Sequence, residues 1–384
     1  MQPDVPDGSS ASAPSPGVPQ SFATVTGQND PDHGQARDTA TALHSNYAAA
    51  PAIKTGANPA PSSFDLAIIT ALDCEFNAVI KQLDEFDAST GELHDSAKFY
   101  TSSNILSFLQ GHILGHPLLL AKLVGPGDVD ASRSVQYIAE KYPELRLVLV
   151  VGVCAGVAKP VNTNISDIYI GDVIIGSHIL SYAKGALFTP EEVKMREMSL
   201  QGSSDMKIQS LLGYLRNETL LGRVEKRLNE RVTRPSEPEK PFPADYHHFH
   251  RGKPCSDGVC NPQTGRACEG AFQALCSVVG CEDDRRLDRP GPDSGRIHIR
   301  LGPYASAPMI MRDPTRRDQL AERFGVLAFE MELGGVWDFN MPVVPIKGVC
   351  DYADSHKNKS SQQFAADTAA CVMRMFVGGF LGTG

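Results

Sequence analysis

The sequence has no block of lysine or arginine residues, and acidic side chains outnumber basic ones. There are 45 Asp and Glu residues against 36 Lys and Arg, which gives a formal net charge of −9 and an isoelectric point near 5.7. A protein that binds the backbone of DNA or RNA needs a basic face to contact the phosphates. The composition therefore argues against a nucleic acid as partner.

Long apolar runs are also missing. No uninterrupted apolar stretch reaches the ~18 residues that cross a bilayer, and the amino terminus lacks the positive segment and apolar core of a secretion signal. We therefore expect no membrane partner and a cytoplasmic location. With 384 residues, 41% of them apolar, the chain is long enough to bury one large core or two small ones.

Closely spaced cysteine pairs are absent as well. Of nine cysteines, Cys74, Cys154, Cys350 and Cys371 lie in apolar or motif stretches, where a small buried thiol is common. The other five lie between residues 235 and 292, together with His247, His248 and His250: Cys255, Cys260, Cys268, Cys276 and Cys281. Their spacing differs from the Cys-x-x-Cys pairs of common zinc modules. We therefore expect free, reduced thiols and neither a metal nor another cofactor; a structural zinc site is the less favoured alternative.

Composition divides the chain into a polar leader and one large domain. Residues 1–63 are rich in Ser, Pro, Ala, Gly and Asp and have few large apolar side chains, so we expect them to be disordered. Residues 64–384 contain the apolar patterns of a folded domain. A loop-rich, Cys/His-containing insertion interrupts this domain at about residues 235–292.

Apolar runs of strand length alternate with amphipathic helical segments through this domain, which predicts an α/β fold. Residues 145–151 are apolar throughout, as expected of a strand that is covered on both faces. The small residues at 152–157 follow directly. We expect them to form a turn where a flat ring can approach the backbone.

The stretch at residues 344–359 reads VPIKGVCDYADSHKNK, and Asp351 lies in its middle. The apolar residues at 343–349 predict a strand, which places Asp351 at the carboxyl end of that strand. Ligands bind at this edge of open α/β sheets, so a carboxylate here is a candidate general acid. From position alone, a solvated loop aspartate is the simpler interpretation.

Several motifs together resemble the nucleoside phosphorylase and nucleosidase superfamily, and most closely its fungal purine nucleosidase branch. They are DYADSHKNK from Asp351 to Lys359, Glu330-Met331-Glu332, the Gly-Pro-Gly turn at 125–127 and the segment Ala71-Leu72-Asp73-Cys74-Glu75. The resemblance runs from residue 64 to about 376, broken by the insertion. It implies a three-layer α/β/α sandwich with a mixed central sheet, and a homo-oligomer such as a dimer.

The resemblance also implies roles for individual side chains in cleaving an N-glycosidic bond. Asp351 would protonate a purine at N7, Glu332 would bind the ribose 2′- and 3′-hydroxyls, and Glu75 would activate the attacking water. The residues that would contact substrate are Met331 and Gly127 at the sugar, Ala155, Gly156, Ile310 and Met311 at the base, and Lys347, which stands where nucleosidases usually have an arginine.

Two of these carboxylates have simpler interpretations from the residues alone. Glu75 would lie in the first turn of a helix, where it could merely complement the helix dipole. We expect Glu330-Met331-Glu332 to open a helix, in which residues i and i+2 point to different sides. Only one of the two glutamates can then face a cleft, and by resemblance it is Glu332.

The missing arginines favour water over phosphate as the nucleophile. Phosphorylases of this superfamily carry a Gly-Asp-Pro-x-Arg string after the first strand, whereas this chain has Asp73-Cys74-Glu75, whose carboxylates would repel phosphate. We therefore expect a purine nucleosidase that uses purine nucleoside and water. One alternative is a phosphate-dependent purine nucleoside phosphorylase. Another is a catalytically weak nucleoside-sensing module, suggested by departures from the family pattern at Ala307-Pro308, Lys347 and Leu333-Gly334.

The substrate stays open among purine nucleosides and nucleotides. His356, Lys357 and Lys359 form a group of potential cations that could reach a 5′-phosphate. A solvated loop whose charges contact only water is the favoured interpretation of this group.

Overall fold

The computed structural model describes most of the chain beyond residue 63. The described residues are 64–101, 107–161, 163–183, 185–187, 193–195, 206–235, 240–251, 255, 258–261, 263–292, 295–336, 341–356 and 359–382. The leader predicted at residues 1–63 lies outside them.

Strands and helices alternate through the described part of the chain. The strands are β1 Leu66–Thr70, β2 Phe86–Asp87, β3 Glu92–Leu93, β4 Lys98–Thr101, β5 Ser107–Ile113, β6 His116–Lys122, β7 Leu147–Gly156, β8 Val173–Ser181, β9 Gly185–Leu187, β10 Val193–Met195, β11 Ile299–Ser306, β12 Ala328–Glu330 and β13 Val343–Asp351. The helices are α1 Asp73–Ile80, α2 Asp128–Lys141, α3 Met206–Leu215, α4 Glu218–Asn229, α5 Glu269–Gln273, α6 Cys276–Val279, α7 Pro314–Phe324, α8 Leu333–Val336 and α9 Gln362–Leu381, with a 3-10 turn at Asp283–Arg285.

Nine strands form one mixed sheet in the order β12-β11-β8-β13-β7-β1-β6-β5-β4. β1 runs parallel to β6 and β7, and β13 runs parallel to β7. β13 is antiparallel to β8, and β5 is antiparallel to both β4 and β6. The parallel strands bring the carboxyl ends of β1, β7 and β13 to one edge, where ligands bind in α/β sheets.

The short strand β12 closes one end of this sheet. It pairs in parallel with β11 and antiparallel with the last residues of β7, where Phe329 is opposite Ala155. Strands β7, β12, β11, β8 and β13 therefore form a closed ring. This closure holds Glu330, the last residue of β12, near the carboxyl ends of β7 and β13.

Helices cover both faces of the sheet. Leu66 and Ile68 of β1 belong to a core that also includes residues of α1, α3, α4 and α9. Ala67 and Ile69, which point to the opposite face, belong to a second core with residues of α2 and α8. All of β1 is buried, as expected for a strand covered on both sides. The three-layer α/β/α sandwich with a mixed sheet confirms the predicted fold class.

Helix α9 is the longest apolar helix in the described part of the chain. Its length and composition would also suffice to cross a membrane. It packs on β13 and β7 instead, and its buried face contributes Ala366, Ala370 and Met373 to the core. The packing accounts for the apolar composition of this helix.

Residues 152–156 differ from the prediction made for them. They continue strand β7 to Gly156 and do not form a turn. Pairing with both β13 and β12 keeps this end of the strand extended. Gly156 suits the close packing here, since a Cβ atom would come within 2.8 Å of the Val349 side chain.

The insertion at about 235–292 is mostly irregular in its described residues, with α5, α6 and the 3-10 turn as its helical segments. Its own fully buried core is small and consists of Ala267, Cys268, Ala271 and Val279. An apolar core of this size gives a segment of some fifty residues little stability.

Candidate active site

A cavity of about 560 Å³ opens at the carboxyl edge of the sheet. Its walls come from the ends of β1, β7, β12 and β13, from the segment after β11, and from the insertion. The lining residues include Glu75, Ala155, Tyr182, Phe272, Leu275, Met311, Glu330, Met331, Glu332 and Cys350. Segments far apart in sequence thus meet in one place.

Glu75 projects into this cavity from the first turn of α1 and is buried. Its Oε2 accepts hydrogen bonds from the backbone N–H groups of Ala71 and Leu72 at 2.8 and 2.9 Å, and its Oε1 accepts one from Val153 at 2.7 Å. The bond from Leu72, the N-cap residue, caps the helix, so Glu75 also has a structural role in the first turn of α1. A carboxylate offers about four acceptor sites, and three backbone donors leave roughly one for a water molecule or a proton.

Gly152 provides the space for this carboxylate. A Cβ atom at residue 152 would overlap Oε1 of Glu75. The small residue in β7 therefore serves the placement of Glu75, and any larger side chain would displace it. The sequence analysis explained the small residues at 152–157 by the approach of a flat ligand. At residue 152 the structure instead explains the small residue by the Glu75 carboxylate.

Lys347 of β13 is buried beneath the cavity and contacts two of its glutamates. Its Nζ lies 2.6 Å from Oε2 of Glu332 and 3.2 Å from Oε2 of Glu330. Glu330 also accepts hydrogen bonds from the backbone N–H groups of Glu332 and Leu333. Lys347 does not line the cavity itself. It acts on the cavity through the glutamates, and so differs from its predicted role in contacting substrate.

Both glutamates line the cavity, which contradicts the expectation that only one can do so. The helix expected to start at Glu330 begins at Leu333, and Glu330 ends a strand. Met331 and Glu332 form a bend between strand β12 and helix α8, so the helical spacing does not apply to them. Glu330 was therefore missed because a helix was assumed for this motif.

The charge of Lys347 affects the pKa values of three nearby carboxylates to different extents. Burial opposes ionisation of Glu332, but the charge of Lys347 and its hydrogen bond outweigh burial and hold the pKa of Glu332 below its ordinary value. Burial raises the pKa of Glu330 to about 7, despite the opposing charge of Lys347. Burial also raises the pKa of Glu75, with the Glu332 charge adding to the effect. The ammonium group therefore favours the ionised form of Glu332 most, whereas Glu330 and Glu75 keep their protons to higher pH than an ordinary glutamate.

Asp351 ends strand β13, as predicted, and is buried. Its Oδ1 accepts a hydrogen bond from the backbone N–H of Ala353 at 3.0 Å, and its Oδ2 accepts the thiol of Cys350 at 3.2 Å. Cys350 lines the cavity, whereas Asp351 lies behind that lining. The turn after it is unusual because Ala353 has a φ of +53°, a conformation that costs a non-glycine residue about 1 kcal/mol or more.

Most residues predicted to contact the substrate reach the cavity. Ala155, Met331, Ile310 and Met311 all line it. Gly127 and Gly156 do not, although Pro126, next to Gly127, does. Gly127 precedes helix α2 with a φ of +134°, which favours glycine there for conformational reasons.

Aromatic and insertion residues form a further wall that sequence reasoning missed. Tyr182 and Phe329 meet edge to face with ring centroids 5.8 Å apart, and both line the cavity. Residues 272–275 of the insertion line it too. Phe329 could have been found by its position next to Glu330, whereas no local pattern marks residues 272–275.

The three potential cations after Asp351, His356, Lys357 and Lys359, differ in their positions relative to the cavity. His356 is buried, does not line the cavity and stacks on Phe242 with ring centroids 4.0 Å apart. Burial lowers its pKa to about 3, so it is neutral near pH 7 and does not add a positive charge for a 5′-phosphate. Lys359 lines the cavity together with Arg312, and Lys357 lies outside the described residues.

With this geometry in place, comparison with known proteins identifies the class of the chain. The family model of the phosphorylase superfamily matches residues 65–381, and the chain belongs to that superfamily. This membership confirms the resemblance to the superfamily that the motifs indicate.

Individual relatives are more distant. A nucleotide-binding leucine-rich repeat (NLR)-like protein from Hyaloscypha variabilis is 26% identical over 326 residues. The match covers 83% of this chain but 29% of that protein, so the chain spans less than a third of its relative's length.

Solved structures with a similar course of the backbone include two methylthioadenosine/S-adenosylhomocysteine nucleosidases. The one from Colwellia psychrerythraea, in complex with adenine, has a TM-score of 0.49 and 14% identity, covering 84% of this chain and 98% of its own. The one from Neisseria meningitidis has a TM-score of 0.47 and 16% identity, covering 81% and 97%. The futalosine hydrolase of Helicobacter pylori has a TM-score of 0.45 and 14% identity, covering 83% and 97%.

Proposed function

We propose that this chain is a purine nucleosidase, which hydrolyses the N-glycosidic bond of a purine nucleoside to free base and ribose. The observation that carries the proposal is the meeting of Glu75, Glu330 and Glu332 in one cavity. Cleavage of this bond passes through an oxocarbenium-like state with positive charge on the sugar. Carboxylates around the sugar stabilise that charge.

Glu332 is the group we assign to the ribose hydroxyls. The buried ion pair with Lys347 keeps it ionised and fixes its position. An ionised carboxylate accepts hydrogen bonds from both hydroxyls of a cis-diol, and such charge-assisted bonds are stronger than neutral ones. Met331, between the two glutamates, would pack against the sugar ring.

Glu75 is the group we assign to the attacking water. Its raised pKa and its remaining acceptor site on Oε1 suit a general base, because a carboxylate with a raised pKa is a stronger base than an ordinary glutamate. As the bond between C1′ and the base nitrogen breaks, its electron pair leaves with the base. The water oxygen then bonds to C1′, and the water proton passes to Glu75.

Asp351 is the group we assign to the leaving base. A proton delivered to N7 of a purine neutralises the charge that the departing electron pair brings to the ring. In the structure this carboxylate is held by Ala353 and Cys350. Its hydrogen-bond partner Cys350 lines the cavity, so the carboxylate lies directly behind the place that we assign to the base.

Charge favours water over phosphate as the second substrate. The three carboxylates of the cavity share one buried cation, Lys347, and any that is ionised beyond the pair with Glu332 repels a phosphate dianion. Arg312 and Lys359 are the cations that line the cavity in the described part of the chain. They could accept a 5′-phosphate on the substrate or a phosphate nucleophile, so dependence on phosphate is the deciding observation.

The experiment is chromatographic detection of free base from adenosine, inosine, guanosine, methylthioadenosine and ATP, each with and without added phosphate. Base release in phosphate-free buffer is the expected result and names the substrate. Release that requires phosphate would replace the proposal with a phosphorylase. Binding of a nucleoside without any release would instead support a sensing module.

A further inference from the structure

Two clusters of cysteine and histidine side chains lie in the insertion, outside the cavity. The first, which we call the four-ligand cluster, consists of His250, Cys255, Cys260 and Cys268. The second, the three-ligand cluster, consists of His248, Cys276 and Cys281. Within each cluster the ligand atoms lie within 4.8 Å of one another. None of these five cysteines forms a disulfide bond.

The spacing in the four-ligand cluster matches the edge of a zinc tetrahedron. Nδ1 of His250 lies 3.6 Å from Sγ of Cys260 and 3.5 Å from Sγ of Cys268. Tetrahedral zinc with Zn–S distances of ~2.3 Å and Zn–N distances of ~2.0 Å places such atoms roughly 3.5 Å apart. Three cysteines and one histidine are also a ligand set of structural zinc sites, in which protein groups fill all four positions.

Backbone groups support the sulfur atoms of this cluster. The N–H of Cys268 points at Sγ of Cys260, and the N–H of Ala271 points at Sγ of Cys268, both at 3.4 Å. Hydrogen bonds of this kind stabilise the negative charge of thiolates and orient metal ligands. The chain around these sulfurs is therefore arranged to receive thiolates.

Independent evidence comes from His248 in the three-ligand cluster. Its Nε2 lies 2.9 Å from the carbonyl oxygen of Ala271, which can only accept a hydrogen bond, so Nε2 carries the proton. The lone pair on Nδ1 then faces Sγ of Cys281 at 3.3 Å and Sγ of Cys276 at 3.7 Å. A carbonyl that fixes the ring of a ligating histidine in this way is the usual outer partner at metal sites.

We propose that the insertion is a zinc-binding module, with one Zn²⁺ held by the four-ligand cluster and a second held by the three-ligand cluster. At the first site His250 binds as neutral imidazole, and each of the three thiols loses one proton to solvent on binding. No electron transfer is involved. Thiolate and imidazole ligands in tetrahedral order suit zinc better than magnesium or calcium. This proposal replaces the expectation, drawn from the cysteine spacing in the sequence, of free thiols without a metal.

The module also forms part of the catalytic cavity. Residues 269–275 run between Cys268 of the first site and Cys276 of the second, and Phe272 and Leu275 of this segment line the cavity. The backbone N–H of His248 donates to the hydroxyl of Ser355, in the motif that follows Asp351. Bound zinc would thus fix both ends of one cavity wall. This consequence rests on the proposed function, whereas the metal sites themselves do not.

The test is metal analysis of the full chain, purified without chelator or an affinity metal, by inductively coupled plasma mass spectrometry. We expect two equivalents of zinc per chain. The double variant Cys260→Ser/Cys268→Ser leaves two ligands in the first cluster and should remove one equivalent, and Cys281→Ser leaves two ligands in the second and should remove the other. Cys371→Ala, in helix α9, is the matched control and should keep both. Absence of stoichiometric zinc, or an unchanged content in the double variant, would overturn the proposal, as would oxidised cysteines in these clusters found by alkylation.

A second measurement covers variants that fail to fold and does not depend on catalysis. Wild-type protein treated with a chelator and then with Co²⁺ should show the thiolate-to-cobalt charge-transfer absorption of a tetrahedral site. Removal of zinc should speed hydrogen exchange of amides in residues 269–275 and leave those of α9 unchanged. Absence of the charge-transfer absorption would contradict the account. Hydrogen-exchange rates at residues 269–275 that are the same with and without metal would also contradict it. Zinc binding without nucleoside cleavage would sink the proposed function alone.

Discussion

Nζ of Lys347 lies 2.6 Å from Oε2 of Glu332, and both side chains are buried at the base of the cavity. Glu330 shares the same ammonium group at 3.2 Å. The lysine therefore holds together two carboxylates that would otherwise repel each other in a region of low polarity. It lowers the pKa of Glu332, which we assign to the sugar, while burial raises the pKa of Glu330.

The first prediction concerns stability. Lys347→Met should lower the free energy of unfolding by about 3–5 kcal/mol, because it leaves buried carboxylates without their cation. Urea denaturation measures this change. The control is Lys81→Met: Lys81 pairs with Asp367 at the surface, where an ion pair contributes about 0–1 kcal/mol. Equal losses in the two variants would mean that the buried pair has no special importance.

A second prediction concerns the catalytic base. Glu75→Gln should reduce the rate of base release by about 10²–10⁴-fold, the usual contribution of a positioned general base. Glu85→Gln is the control, since Glu85 also accepts a backbone N–H, from His112, but lies outside the cavity. Steady-state rates of both variants decide the matter. Turnover of Glu75→Gln within a few-fold of wild type would remove Glu75 from the mechanism.

The space provided by Gly152 gives a third prediction. Gly152→Ala should displace the Glu75 carboxylate and cost activity comparably to Glu75→Gln, although residue 152 contributes no functional group. Gly222→Ala, on the exposed side of α4 with open space around it, should keep full activity and gain about 0.5–1 kcal/mol in helix stability. Full activity in Gly152→Ala would show that Glu75 needs no defined position.

A fourth prediction concerns pH. Burial raises the pKa of Glu75, so its neutral form persists to higher pH than in an ordinary glutamate. Since only the ionised form accepts a proton from water, kcat/KM should fall as the pH drops through this raised value. The acidic limb should thus lie clearly above the ordinary glutamate pKa of ~4.3. Lys347 lowers the pKa of Glu75, so in a folded Lys347→Met variant the limb should move to still higher pH.

The sequence predicted much of this arrangement because its motifs are local. The segment ending in Glu75, the strand that ends at Asp351 and the pair Met331-Glu332 are each contiguous, and the periodicity of apolar residues located the strands around them. Glu330 was misjudged because residues 330–332 lie outside a helix. The ring closed by β12 could not be foreseen, since it depends on a pairing between Phe329 and Ala155 that no local pattern shows.

The insertion was the hardest part to predict, for a physical reason. Ligands of its two clusters are nested along the chain: His248, Cys276 and Cys281 enclose His250, Cys255, Cys260 and Cys268. Sequence rules for zinc sites search for closely spaced ligand pairs such as Cys-x-x-Cys. Nested ligands do not form such pairs, so these rules do not detect them. The contribution of residues 272–275 to the cavity likewise follows from tertiary contacts alone.

The central claim is that water, and not phosphate, attacks the sugar. Its most direct test is to identify the sugar product when the protein acts on its best substrate from the panel in buffer that contains phosphate. The carboxylates of Glu75, Glu330 and Glu332 predict a sugar with a free hydroxyl group at C1 as the sole sugar product, which is ribose when the substrate is adenosine, inosine or guanosine, at a rate that added phosphate does not increase. Formation of a sugar 1-phosphate would contradict the account.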